Sequence, residues 1–204
     1  MKIGLVDYGR GNLRSVAKAL AVVASEPELV TAPGDFARQE LVVLPGVGAF
    51  GDAMGALERQ GLVGPLREWL EAGRPFLGIC LGFQLLFESS EESPGVAGLG
   101  WLPGRVVRFS PGVGKVPHMG WNRVEWRSTA RGFFGGIEDD YFYHVHSFYP
   151  GEVGEEVQAC LTSYGGVRFC SGVLSGQVLA VQFHPEKSQA AGLGLLRRFL
   201  DRLG

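Results

Sequence analysis

Phe76-Leu77-Gly78-Ile79-Cys80-Leu81-Gly82-Phe83-Gln84 is the stretch on which the fold turns. Residues 76–79 are an apolar run of strand length, and they pass without a spacer into residues 81–88, which are expected to be helical. Gly78 and Gly82 stand two places on either side of Cys80 and let the chain make a strained strand-to-helix turn. A side chain at the apex projects from the carboxyl end of the sheet, and the N–H groups that follow face developing negative charge. This is nucleophile-elbow logic with cysteine in place of serine. A helix N-terminus also favours a thiolate, the reactive form. Cys80 reads equally as a buried core thiol, as most free cysteines are. The turn needs a base before it implies chemistry. Cys160 and Cys170 have no such setting and are expected to be structural.

Outward from this turn, Ile3–Val6 reads as a strand and Leu13–Val23 as a helix. Residues 41–44 form a second apolar strand bounded by Pro45-Gly46, and residues 52–57 and 62–70 are helix-like. Strand, crossover helix, strand is the pattern of a parallel sheet covered on both faces. Beyond Trp101 the texture changes to short β-like runs broken by glycine and proline, at 106–109, 124–126, 141–145, 157–161, 167–170 and 179–183. A terminal helix over 189–203 is expected to turn Leu193, Leu196, Phe199 and Leu200 to the core. The expected fold is α/β: an open, mostly parallel sheet flanked by helices, with antiparallel strands in the C-terminal half. No repeat, low-complexity tract or linker interrupts it, so residues 1–204 are expected to form one domain.

A chain of 204 residues buries about 70% of its unfolded surface and needs no disulfide or metal staple. A net charge of -2 gives no electrostatic reason to expect nucleic acid or an anionic membrane as partner. The 32 glycines, about twice average usage, point to tight turns and close backbone approaches. Met1-Lys2-Ile3-Gly4-Leu5-Val6 lacks the layout of a signal peptide. No apolar stretch approaches the roughly 20 residues that span a bilayer. Three cysteines without C-x-x-C spacing argue against a disulfide framework and a zinc ribbon. A soluble, cytoplasmic protein with reduced thiols is expected.

The base comes from Val181-Gln182-Phe183-His184-Pro185-Glu186-Lys187-Ser188. His184 sits where an apolar strand leaves the sheet, and Pro185 biases it toward an extended conformation. In extended chain, residues two apart share a side. Glu186 can therefore hold the far imidazole nitrogen while the near one faces a thiol. Ligand sites in open α/β sheets lie at these strand ends. His184 and Glu186 with His118, His144 and His146 form the competing metal reading, but no spacing among them resembles a zinc motif. No metal or cofactor is expected.

With Cys80 and His184-Pro-Glu186 in one chain, the sequence resembles the class I (triad) glutamine amidotransferases over essentially its whole length. Within that superfamily it is most similar to the glutaminase subunits of imidazole glycerol phosphate synthase. The residues that carry this are Asp7-Tyr-Gly-Arg-Gly-Asn-Leu13, Pro45-Gly-Val-Gly-Ala-Phe-Gly51, Pro117-His-Met-Gly-Trp-Asn122, His146-Ser-Phe-Tyr149 and Gln182-Phe-His-Pro-Glu-Lys-Ser188. The resemblance implies a flavodoxin-like core and a triad of Cys80, His184 and Glu186. It implies an oxyanion segment at Pro45–Gly48, with N–H groups from Val47 or Gly48 and from Leu81. It also implies glutamine contacts at Gln84, at Glu92 for the α-amino group, and at Ser147 and Phe148. The implied reaction is hydrolysis of glutamine to glutamate and ammonia. The implied partner is a (β/α)-barrel cyclase, forming a heterodimer. It uses the ammonia to make imidazole glycerol phosphate and the aminoimidazole carboxamide ribonucleotide AICAR from the intermediate PRFAR, in histidine biosynthesis. Lys115, Trp121, Asn122 and Lys187 match or neighbour interface positions, as does Asn12, and Tyr143 resembles a link between the glutamine pocket and the partner. Lys187 also reads as a solvated lysine and Trp121 as core packing. The alternatives are an amidotransferase subunit of another pathway, a thiol hydrolase of peptides or esters on a similar fold, and an idle interaction module. The Pro117–Asn122 run and Lys187-Ser188 favour the histidine pathway.

Overall fold

The computed structural model describes residues 1–9 and 11–204; Arg10, part of the motif at 7–13, lies outside the described residues. β1 (Ile3–Val6), β3 (Leu41–Gly46) and β4 (Phe76–Cys80) are buried along their whole length. Strands covered on both faces need apolar residues at every position rather than at alternate ones. In β3, Val42 and Leu44 pack with α2 (Phe50–Arg59) and α3 (Val63–Glu71). Leu41 and Val43 point the other way, toward α1 (Leu13–Val23) and α6 (Gln189–Asp201). Two helical layers thus enclose the sheet.

Among the described residues the large sheet has nine strands in the order β2-β1-β3-β4-β12-β11-β10-β7-β8. Its newly named members are β2 (Glu28–Val30), β7 (His118–Trp126), β8 (Asp140–His146), β10 (Gln158–Tyr164), β11 (Val167–Ser175) and β12 (Val178–Val181). Pairing is parallel from β2 through β12 and antiparallel from β12 to β8, so the sheet is evenly mixed rather than mostly parallel. The first five strands reproduce the flavodoxin-like order, with β12 in the fifth place. A second sheet joins β5 (Phe87–Ser90), β6 (Leu102–Arg108) and β9 (Phe148–Pro150). A short helix, α5 (Ser128–Phe133), crosses between β7 and β8.

Four expectations are corrected. The helix expected over 81–88 is one turn, α4 (Leu81–Gln84), and the chain then re-enters a sheet as β5. Every residue from Leu81 to Phe87 is buried, so the run has no polar face by which periodicity could tell helix from strand. Pro45-Gly46 does not bound β3 but continues it, pairing with Ile79 and Cys80. His184 is extended, but Pro185–Lys187 is a 3-10 turn that starts with proline at its first position. That turn, not extended chain, brings Glu186 back to His184. In α6 the fully inward leucine is Leu195 beside Leu196, Phe199 and Leu200, while Leu193 is half-buried.

Candidate active site

Cys80 is the last residue of β4, with φ 54° and ψ -105°. A non-glycine residue there is strained by about 1–3 kcal/mol and persists only where its surroundings over-determine it. The surroundings are tight. A Cβ on Gly82 would fall 1.8 Å from the Leu44 carbonyl oxygen, so α4 starts against β3 only because residue 82 is glycine. Since α4 has four residues, its dipole contributes little; what it offers is backbone N–H groups beside the sulfur.

β4 and β12 are parallel neighbours with Ile79 opposite Val181, which puts the residues just past them, Cys80 and Gln182, side by side. His184 follows on the same exit. Its Nδ1 lies 2.8 Å from Glu186 Oε1, and both side chains are almost wholly buried. Nε2 is buried without a well-formed hydrogen bond, and the Cys80 side chain lies within interaction range of the ring. Burial opposes a charge on His184. Negative charge on the nearby Cys80 sulfur, with the Glu186 carboxylate on Nδ1, outweighs it and raises the imidazole to about 10. The backbone clamps the base from both sides: His184 N–H donates to the Tyr143 carbonyl at 2.9 Å, and Ser188 Oγ donates to the His184 carbonyl at 2.6 Å. Burial pushes the Cys170 thiol up to about 12 and Cys160 well above its usual range, which suits inert core thiols.

A cavity of about 300 Å³ opens at Cys80, lined by Val47, Gly48, Leu81, Gln84, Glu92, Pro117, Val145, His146, Ser147 and Phe148. That is the small end of the ligand-pocket range. All the expected oxyanion and glutamine-contact residues meet there. Gly48 has φ 98°, a conformation open to glycine. Glu92 Oε2 accepts the Phe50 N–H at 2.7 Å, capping α2 directly after the Val47–Gly48 segment. Gln84 Nε2 donates to the Phe148 carbonyl at 3.0 Å and to Gln182 Oε1 at 3.1 Å, so Gln84 offers the cavity its carbonyl oxygen.

The expected interface residues divide. Trp121 is 46% exposed, its ring 6.3 Å from that of Tyr143, and Lys187 Nζ lies 5.8 Å from the Tyr143 ring centre. Lys115 is exposed. Trp121 is therefore not core packing. Asn12 instead caps α1 through the Ser15 N–H, and Asn122 is tied by its amide to Ser163 and Arg123. Sequence reasoning missed Met119, 57% exposed on the same strand face as Trp121. It also missed Gln182, fully buried, with Nε2 3.7 Å from Cys80 Sγ. The one available signal for Gln182 was its place at the exit of the strand beside β4. The structure also gathers His118, His144 and His146, whose ring nitrogens lie within 4.8 Å of one another.

Residues 4–203 match the family model described as glutamine amidotransferase class-I. The chain is 48% identical over 197 residues to the imidazole glycerol phosphate synthase subunit HisH of Desulfitobacterium hafniense, covering 97% of this chain and 92% of that one. It is 46% identical over 201 residues to the subunit of the same name from Methanothermobacter thermautotrophicus, covering 98% of each. Among solved structures it resembles a crystal structure of a glutamine amidotransferase at TM-score 0.79 and 22% identity, covering all of both chains. It also resembles PurLQS from Thermotoga maritima at TM-score 0.77 and 23% identity, covering 100% of this chain and 99% of that one. At such identities these two likenesses bear on the fold.

Proposed function

The chain belongs to the class-I glutamine amidotransferases and, within them, to the HisH subunits of imidazole glycerol phosphate synthase, and from that premise we propose a Cys80-His184-Glu186 glutaminase feeding ammonia to a cyclase. The observation that carries the proposal is Cys80 at a strained elbow beside a buried His184–Glu186 pair, at the mouth of a small cavity. Glutamine enters with its α-ammonium toward the Glu92 carboxylate and the Gln84 carbonyl oxygen, both acceptors, and its carboxylate end toward Ser147 and Phe148. The Cys80 thiolate attacks the side-chain amide carbon. The oxyanion that forms is met by N–H groups of Leu81 and of Val47 or Gly48, each worth on the order of 3–4 kcal/mol. The His184 imidazolium protonates the amide nitrogen, and the C–N bond breaks to release ammonia and a γ-glutamyl thioester. Water, deprotonated by the now neutral His184, then displaces the sulfur and leaves glutamate. Glu186 holds the Nδ1 proton throughout.

The partner reading is supported by the exposed Met119 and Trp121 and the half-buried Tyr143 beside them, on a strand face that continues along β8 through Val145 into the cavity wall. A (β/α)-barrel cyclase seated there, in a heterodimer, receives ammonia without its passing through bulk water. It converts PRFAR to imidazole glycerol phosphate and AICAR. Lys115 and Lys187 supply rim charges. Asn12 and Asn122 act at one remove, through the segments that they tie down.

Glutamate release is assayed with purified barrel subunit and PRFAR present. Wild type is expected to turn over and Cys80→Ala to be silent with an unchanged circular dichroism spectrum. Turnover by Cys80→Ala near the wild-type rate removes the nucleophile assignment.

A further inference from the structure

Polar groups stand in hydrogen-bonded succession from the half-buried Asn122 on strand β7 to the buried Cys80 sulfur. The Asn122 amide is pinned at both atoms: Oδ1 accepts the Arg123 N–H at 2.8 Å, and Nδ2 donates to the Ser163 carbonyl at 2.9 Å. Nδ2 therefore also faces His118 Nε2, 3.2 Å away, as a donor, and that ring nitrogen must be bare. His118 then carries its proton on Nδ1, 3.2 Å from His146 Nε2. His146 donates from Nδ1 to the Phe148 carbonyl at 2.8 Å, which leaves its Nε2 free to accept. The same carbonyl accepts from Gln84 Nε2, whose second proton goes to Gln182 Oε1. Gln182 Nε2 is left to donate toward Cys80 Sγ. The Asn122 amide fixes the His118 tautomer and the Phe148 carbonyl fixes that of His146, whose Nε2 is approached by both His118 Nδ1 at 3.2 Å and His144 Nδ1 at 3.3 Å.

Clustered histidines also suggest a metal, but the ring geometry opposes one. His118 and His144 are stacked, with centres 4.6 Å apart and planes 22° from parallel, so their in-plane lone pairs run side by side instead of converging. A metal on His118 Nδ1 would also move its proton to Nε2, against the Asn122 donor. Burial holds His118 down to about 4 and His146 to about 3, so both remain neutral near pH 7, as the hydrogen-bond pattern requires.

We propose that Gln182 and His146 are positioning residues of the glutaminase, members of one hydrogen-bond network in which donors from the His118–His146 side and from Gln84 converge on the Phe148 carbonyl. Gln182 orients the sulfur for attack. His146 holds the Phe148 carbonyl, and with it the cavity wall and the Gln84 amide. The inference deepens the glutaminase reading and rests on it.

Two measurements test it. The ring-nitrogen NMR spectrum of the wild-type chain reports tautomers directly. The Nδ1–H form is expected for both His118 and His146, and an Nε2–H form of either overturns the network. This readout needs no glutamine turnover, so it fails or succeeds separately from the assigned activity. The second is steady-state kinetics of the complex with the barrel subunit. Gln182→Leu is expected to lower kcat about tenfold or more with little change in KM, the scale of loss that a misplaced reacting atom brings. His146→Leu is expected to raise KM for glutamine about fivefold or more, and His146→Asn, which keeps a donor near the Nδ1 position, to recover most of it. If wild type turns over glutamine while both leucine variants keep kcat and KM within about twofold, the positioning role is wrong. Should a leucine variant fail to fold, Gln182→Met and the wild-type tautomers decide the matter.

Discussion

Cys80 and Glu186 together set the chemistry of His184. The sulfur's negative charge and the Glu186 carboxylate hold a proton on the imidazole against its burial, and in the proposed reaction that proton passes to the departing ammonia. The ordinary histidine value is 6.5, and His184 is raised to about 10. A raised value means that folding favours the protonated form. Its contribution to stability is complete below about pH 6.5 and is lost as the pH climbs through about 10. The unfolding free energy in urea is accordingly expected to decline between those limits by about 1 kcal/mol or more. Cys80→Ala, which removes the main partner raising the imidazole, is expected to flatten that decline. A wild-type curve as flat as the variant's would show that the charge pair does not form.

Among the elements, the junctions matter more than the interiors. α4 lasts one turn, yet it brings Leu81 and Gln84 into the lining of the cavity that Cys80 borders. β5 then turns back and ends before Glu92, whose carboxylate caps α2. A single carboxylate thus anchors the helix that follows the Val47–Gly48 segment while it borders the cavity. Glu92→Ala is expected to cost about 1 kcal/mol in thermal or urea unfolding, the usual scale for a lost helix cap. It is also expected to raise KM for glutamine, since the substrate's ammonium loses its counter-charge. Loss of stability with KM unchanged would confine Glu92 to capping.

Across the whole molecule, the sheet order does the gathering. Placing β12 next to β4 brings His184 to Cys80, the proposed base to the proposed nucleophile, across about a hundred residues of chain. The antiparallel strands beyond it carry Trp121, Tyr143 and Met119 on the strand face that continues to Val145 in the cavity wall. Trp121→Ala is expected to weaken barrel binding by about 2 kcal/mol, roughly thirtyfold, by calorimetry, as truncating an aromatic anchor does. Unchanged affinity would move the interface elsewhere. The helix at 13–23, the strands at 3–6 and 76–79, the elbow glycines and the His-Pro-Glu tripeptide were legible in the linear order because each depends on neighbours within a few residues. Two glycines flanking a cysteine, or a proline after a histidine, restrict the backbone wherever they stand. The run from Leu81 to Phe87 was not legible, since residues buried all round carry no period, and its division into a turn of helix and a strand came from pairing with β6. Gln182, the stacked His118 and His144, and Asn122 as a tether were equally invisible. Their meaning is a partner's position across strands far apart in sequence, and hydrogen bonds of that kind exist only once the sheet has set its register.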